Sequence, residues 1–364
     1  MADRMVVAVG TKKGMFVLEG PATADSLALH GPFFPGMPVN AAFIDRRSTT
    51  PKVMGVPSSP WFGTTVQVSE DLGKTFQPTK SAPAFAADDG RTLKNVWSLA
   101  SGGDTADLLC GLEPAALFRS DDGGDTWEKV PGLTDHAHAR QWQPGNGGLC
   151  LHTILHHGGA LHLGISTGGH YTSRDGEESF TAENAGVGVG FMPERFPEFG
   201  QCVHKIAAHP GKPERLYMQN HGGFEEAPNL GVLRSDNGGK TWQSIAAGLP
   251  SDFGFPIAVH PQNADAVYVV PLEPATRTCP NARPAVWRSE DAGQSWRQLG
   301  HGLPEKEAWF TVLRDGMELD DSQRPSVWFG TTTGQLWRGR DGGEAFECVA
   351  SSLPPIHCVK VAVV

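Results

Sequence analysis

The sequence predicts an all-β chain folded as a single seven-bladed β-propeller over residues 1–364, and three observations predict it. An eight-residue segment recurs six times at blade-sized spacing, strand-like runs precede the copies, and the two chain ends hold complementary pieces of one further blade. Composition agrees: 45 Gly, 28 Pro, 10 Trp and 18 Phe, with no long apolar helical stretch, describe a turn-rich β protein.

The recurring segments are SEDLGKTF (69–76), SDDGGDTW (120–127), SRDGEESF (173–180), SDNGGKTW (235–242), SEDAGQSW (289–296) and GRDGGEAF (339–346), starting 50 to 62 residues apart. Each reads as a tight hairpin turn. The Asp accepts local backbone N–H groups, the Gly takes a positive φ, and the closing Trp or Phe packs into the sheet. Asn237 replaces the Asp of the fourth copy and Glu177 the Gly of the third, which predicts looser turns there. The pattern S-x-D-x-G-x-T-W resembles the Asp box of the BNR family, and the resemblance extends over nearly the whole chain.

Three strand-like runs lead into each box. In the fourth repeat they are QCVHKIAAH, RLYMQNH and GVLRS, and in the fifth PIAVH, AVYVV and AVWRS, so a blade runs A, B, C, box, D. MVVAVG (5–10) and GMFVLEG (14–20) read as B and C strands without an A strand, and HCVKVAVV (357–364) as an A strand with nothing after it. Joining them would complete a seventh blade and close the ring by pairing the N-terminal strands with the C-terminal one, leaving no open sheet edge.

A net charge of −10, without any Lys/Arg run, argues against nucleic acid or an anionic membrane as partner. The apolar run before Gly10 is too short for a signal peptide or a membrane span, which places the protein in the cytoplasm as an expectation. The cysteines Cys110, Cys150, Cys202, Cys279, Cys348 and Cys358 are widely spaced, without a C-x-x-C pair, and read as reduced thiols.

Loops of an antiparallel four-stranded blade alternate between faces, so the A–B turns, with His156, His157, His209 and His260, share a face with the boxes. The B–C loops and the D–A connections share the other, including the long segments 135–148 and 187–200. Long irregular loops on a rigid scaffold are where binding sites concentrate, so a small-molecule site is expected at that mouth of the channel.

Three constellations compete there. Glu113 and Glu273 occupy the same L-E-P-A turn in blades two and five, roughly 150° apart around the axis. As an acid/base pair they would have to lean inward to reach the carboxylate separations of glycosidases, about 5–5.5 Å or about 6.5–9.5 Å. Cys150 and His152, Cys202 and His204, and His357 beside Cys358 begin A strands, where a period of two sets Cys and His on one side. They could gather around a transition metal at the axis, with His221 adding a ligand from the rim. Lys12, Lys13, Arg140, Trp142, Arg195 and Phe199, with Asn220 and His221 nearby, form a basic and aromatic group suited to a carboxylate or sugar-like ligand.

The BNR resemblance implies several activities: sialidases, xyloglucan-type glycosidases, sortilin-like receptors and the photosystem II assembly factor share it. A sialidase would carry an R-I-P motif, an Arg triad and a Tyr–Glu pair. This chain has no R-I-P, Tyr217 and Tyr268 fall mid-strand and Tyr171 begins a C strand, which argues against that activity. The leading expectation is a small polar ligand at the channel mouth with hydrolase-type chemistry on Glu113 and Glu273. The alternatives are a metal-binding enzyme built on the Cys/His set and a non-catalytic scaffold with a protein partner.

Overall fold

Residues 3–59, 61–103, 107–224 and 228–364 are described by the computed structural model. Their strands form seven antiparallel sheets, six of four strands and one of five, arranged as the blades of a propeller. Blade one carries the extra strand, Gly63–Thr64, on the edge of Lys52–Ser59. Blade seven draws on both chain ends. Ile356–Val363 pairs with Arg4–Thr11, Met5 opposite Val363 and Gly10 opposite Cys358, and Gly14–Pro21 and Ala28–Phe33 follow outward. Among the described residues no helix is long and apolar enough to cross a membrane.

Inner strands are sandwiched between neighbouring blades, so both of their faces are apolar and the simple in/out alternation disappears. Met5, Val6, Val7, Ala8 and Val9 are all buried in succession. The core is therefore a ring of inter-blade clusters: Tyr268 and Leu299 of blade five pack with Phe329 and Trp337 of blade six, and Leu109 of blade two with Leu163 and Tyr171 of blade three. The three tyrosines are fully buried.

Five of the six box segments share one hydrogen-bond pattern. In the fifth, Ser289 Oγ accepts the Gly293 N–H at 2.7 Å and donates to Asp291, which accepts the Ser295 N–H at 2.8 Å and its hydroxyl at 2.6 Å. Glu177 and Asn237 do not loosen their turns. Glu177 adopts the positive φ of 74° and its N–H still reaches Ser173, while the Asn237 amide reverses one bond by donating to Thr241 at 2.8 Å. The copy that differs is the sixth. Gly339 stands where the others have Ser and no hydroxyl is present to hold the turn, while Gly342 and Gly343 keep the paired positive φ of the other copies.

A second repeated feature sits at the channel end of the innermost strands. In six blades the register slips by one residue there, leaving Asn40, Trp97, His152, His204, the Phe255–Pro256 pair and His357 as bulged positions. A bulge bends its strand and re-aims the extra side chain, often beside a functional site. Polar and aromatic residues are thereby turned out of the packed inter-blade layers, and five of these positions line cavities around the axis.

Candidate functional site

On the face opposite the boxes, a cavity of about 430 Å³ opens where blades three to six meet. Its wall comes from the D–A connections (Gly145, Asn146, Gly147, Phe191, Leu313, Arg314), the B–C loops (Ser166, Thr167, His221, Phe224, Arg277) and the strand starts Cys202, His204 and Phe255. A groove of about 540 Å³ on the other face is lined by Asp71 and Asp122, but those carboxylates are consumed by their own turns. Thr126 bonds hold Asp122 at about 2, and Ser295 does the same for Asp291.

Within the cavity, Cys202, His204 and His221 offer ligand atoms that all lie within 4.8 Å of one another. Each is fixed by its surroundings. His204 is buried and its Nδ1 lies 2.6 Å from the Gly254 carbonyl oxygen, so Nδ1 carries the proton and Nε2 keeps a free lone pair. His221 follows the second strand of blade four, its N–H bonded to the Cys202 carbonyl at 2.9 Å. Asp252 clamps that loop by accepting the N–H groups of Gly223 at 2.7 Å and Gly231 at 2.9 Å. The imidazole stacks on Phe224 and meets Phe253 edge-on. Cys202 Sγ is 3.8 Å from the Ser166 hydroxyl.

Both imidazoles are neutral near pH 7. Burial, followed by the Arg314 charge, drives His204 well below its ordinary value, and burial with Arg277 and Arg314 brings His221 down to about 4. Neutral imidazole is the ligating form. One thiol and two imidazoles are a donor set that suits a borderline or soft metal such as zinc.

Around the three ligands the cavity is cationic. Arg314 lies over the Phe255 ring at 5.2 Å, its Nε is buried without an acceptor, and it makes no ion pair among the described residues. Among the described residues no Asp or Glu lines the cavity. Below it, a narrower channel of about 170 Å³ holds Lys205, Asp315, Glu318 and Lys360, with Lys205 and Lys360 both on the Asp315 carboxylate. Burial would raise the Asp315 carboxyl, but the two ammonium groups hold it far below its ordinary range.

The structure thus brings together Cys202, His204 and His221 from the predicted set. Cys150 lies beside Glu113 with its Sγ 3.4 Å from the Gly147 oxygen, burial pushing its thiol far up. His152 faces the lower channel with Nε2 unbonded, and His357 neighbours Lys12 on blade seven. The expected two-residue alternation is not what joins Cys202 and His204. Cys202 precedes the strand Val203–Ala208, and His204 is the bulged residue.

Glu113 accepts the Trp97 indole N–H at 2.9 Å, whereas Glu273 is exposed on its loop. Lys12, Lys13, Arg140 and Arg195 are exposed outside this cavity, and Phe199 stacks on His138. Trp142 is buried with its indole N–H on the Tyr171 hydroxyl, and the Asn220 amide bridges the Gly188 and Leu230 carbonyls. Sequence reasoning passed over Arg314, Arg277 and Phe255. Arg314 closes a connection, HGLPEKEAWFTVLR, whose signal is its position just before the sixth inner strand, matching that of Cys202.

The BNR/Asp-box repeat model matches residues 118–129, the second box. The chain is an Asp-box β-propeller. No functionally curated protein matches this propeller by sequence. Among solved structures, the GH74 xyloglucanase from Xanthomonas campestris is similar at TM-score 0.59 and 18% identity, over 98% of this chain and 52% of that one. The propeller therefore spans about half the length of that enzyme. YCF48 bound to D1 peptide gives 0.53 and 15% over 91% and 87%, and apo AztD from Citrobacter koseri gives 0.56 and 8% over 100% and 98%. These likenesses establish fold, and include a xyloglucanase and a propeller seen with a bound peptide.

Proposed function

We propose that this propeller binds one zinc-like metal ion through Cys202, His204 and His221, and presents it to a small ligand in the channel-mouth cavity. The observation behind this reading is the convergence of three metal-ligating atoms within 4.8 Å on a cavity wall. Three protein ligands leave one position of a tetrahedral ion open, the arrangement of catalytic rather than structural sites. An ion held there would polarise a ligand oxygen or lower the pKa of a bound water, which is hydrolase-type chemistry. His204, bonded to Gly254, keeps its ring oriented, and Phe224 and Phe253 limit the motion of His221. Elemental analysis of untagged protein prepared without chelator tests the reading. It stands on one metal per chain, abolished by Cys202→Ala, and falls if metal is substoichiometric after zinc loading.

A second reading, a protein partner, has its own observation. Trp61, Phe62, Phe191, Phe196 and Trp309 are exposed large hydrophobics, and all lie in B–C loops or D–A connections, on the face of the cavity. YCF48, similar in fold, is a propeller seen with a bound peptide. Affinity purification with Trp61→Ala and Phe62→Ala as a paired control tests it: a stoichiometric partner recovered by the parent protein and lost with the pair supports an interaction face, and its absence removes the reading.

A further inference from the structure

Resting on the metal reading above, we infer that the ligand of this site is a small carboxylic acid with an apolar or aromatic body, its carboxylate held by Arg314 beside the metal. The first argument is charge. A divalent ion on one thiolate and two neutral imidazoles remains positive, Arg314 and Arg277 add to it, and among the described residues no acidic side chain lines the cavity to compensate. In a chain of net charge −10 this is a local reversal of sign, and an anionic ligand is what balances it.

Shape selects among anions. Arg314 lies over Phe255, its guanidinium carbon 5.2 Å from the ring centroid, and makes no ion pair among the described residues, so its outer N–H groups are not spent on a protein carboxylate. A planar guanidinium presents a two-pronged edge that matches a carboxylate. Phosphate sites commonly add a cradle of backbone N–H groups at a helix N-terminus, and among the described residues no helix borders this cavity. Phe191, Phe224 and Phe255 supply instead an apolar wall for the rest of the molecule.

The test uses zinc- and cobalt-loaded full-length protein titrated calorimetrically with benzoate, benzamide and inorganic phosphate, cobalt absorption serving as second readout. Benzoate is expected to bind at least tenfold more tightly than either comparison and to shift the cobalt bands. Arg314→Met should lose tenfold or more in benzoate affinity while metal stoichiometry and the unliganded cobalt spectrum stay unchanged. Should that variant not fold, Arg314→Lys, which keeps the charge without the fork, is expected to lose most of the benzoate preference over phosphate. Benzoate binding no tighter than benzamide or phosphate, or indifferent to both Arg314 variants, overturns the inference while leaving the metal site standing. Absence of metal before any ligand is added overturns the metal reading itself, and this inference with it.

Discussion

The two faces of the propeller are built from the same loops-between-strands plan, yet they end in opposite states of polar satisfaction. On the box face, five turns close on themselves: each Ser hydroxyl and each Asp or Asn side chain is spent on the N–H groups and hydroxyl of its own segment. On the cavity face, lone pairs and donors are left over, on His204, His221 and the Nε of Arg314. Repetition and self-satisfaction go together because a turn that completes its own hydrogen bonds folds alike in any blade and offers nothing to a ligand. A face that binds must leave groups unmatched, so its blades have to differ.

Four experiments would break or sharpen that contrast. The largest effect is expected from removing residues 357–364, which takes away nearly all of the strand paired with Arg4–Thr11 and its buried Cys358, Val359, Val361 and Ala362. The truncated chain should show no cooperative unfolding transition by circular dichroism. Next, Cys202→Ala should reduce metal affinity by about 100-fold or more without lowering the melting temperature of metal-free protein appreciably, because the side chain is small and at the cavity wall.

Third, Ser289→Ala removes an acceptor for a buried N–H and should cost about 1–2 kcal/mol in urea unfolding. Asp341→Ala, in the segment that lacks the Ser-held turn, should stay within about 0.5 kcal/mol, since Asp341 makes only a loose ion pair with Arg324. Equal costs would mean that the sixth turn is a box after all.

The smallest effect is a matter of pH. His221 has a folded pKa of about 4 against an ordinary value of about 6.5, so the unfolded chain takes up its proton first. Its contribution is present above about 6.5 and lost as pH falls towards about 4. Asp122 and Asp291, held at about 2, contribute above about 4 and lose it as pH falls to about 2. NMR titration of the His221 ring should give a midpoint near 4, and a midpoint near 6.5 would mean that the cavity face is open to water like any loop.

How much of this was legible in the sequence follows from the same contrast. Periodic features read well: the recurring segments and the seven-blade plan are local patterns repeated often enough to be trusted. The loosening expected at Glu177 and Asn237 did not occur because the residue that organises the turn is the Ser, and its absence at Gly339 was visible all along. Cys202, His204 and His221 could be picked out by residue type. The sequence set them in a larger group with Cys150, His152 and His357; that these three converge without the others depends on a bulge at His204 and on a loop clamped by Asp252, a residue 31 positions from His221. Arg314 looked like any loop arginine until a phenylalanine of another blade was found beneath it.

The blade assembled from both termini also sets an order of events during synthesis. Arg4–Thr11 is synthesised before the other six blades, and its partner Ile356–Val363 after them. At ribosomal rates of about 5–20 residues per second, that hydrophobic edge waits on the order of tens of seconds for its mate. Throughout that interval it is an open template for strands of other nascent chains. A propeller so constructed asks the cell for protection early and locks its ring only once that distant strand is made.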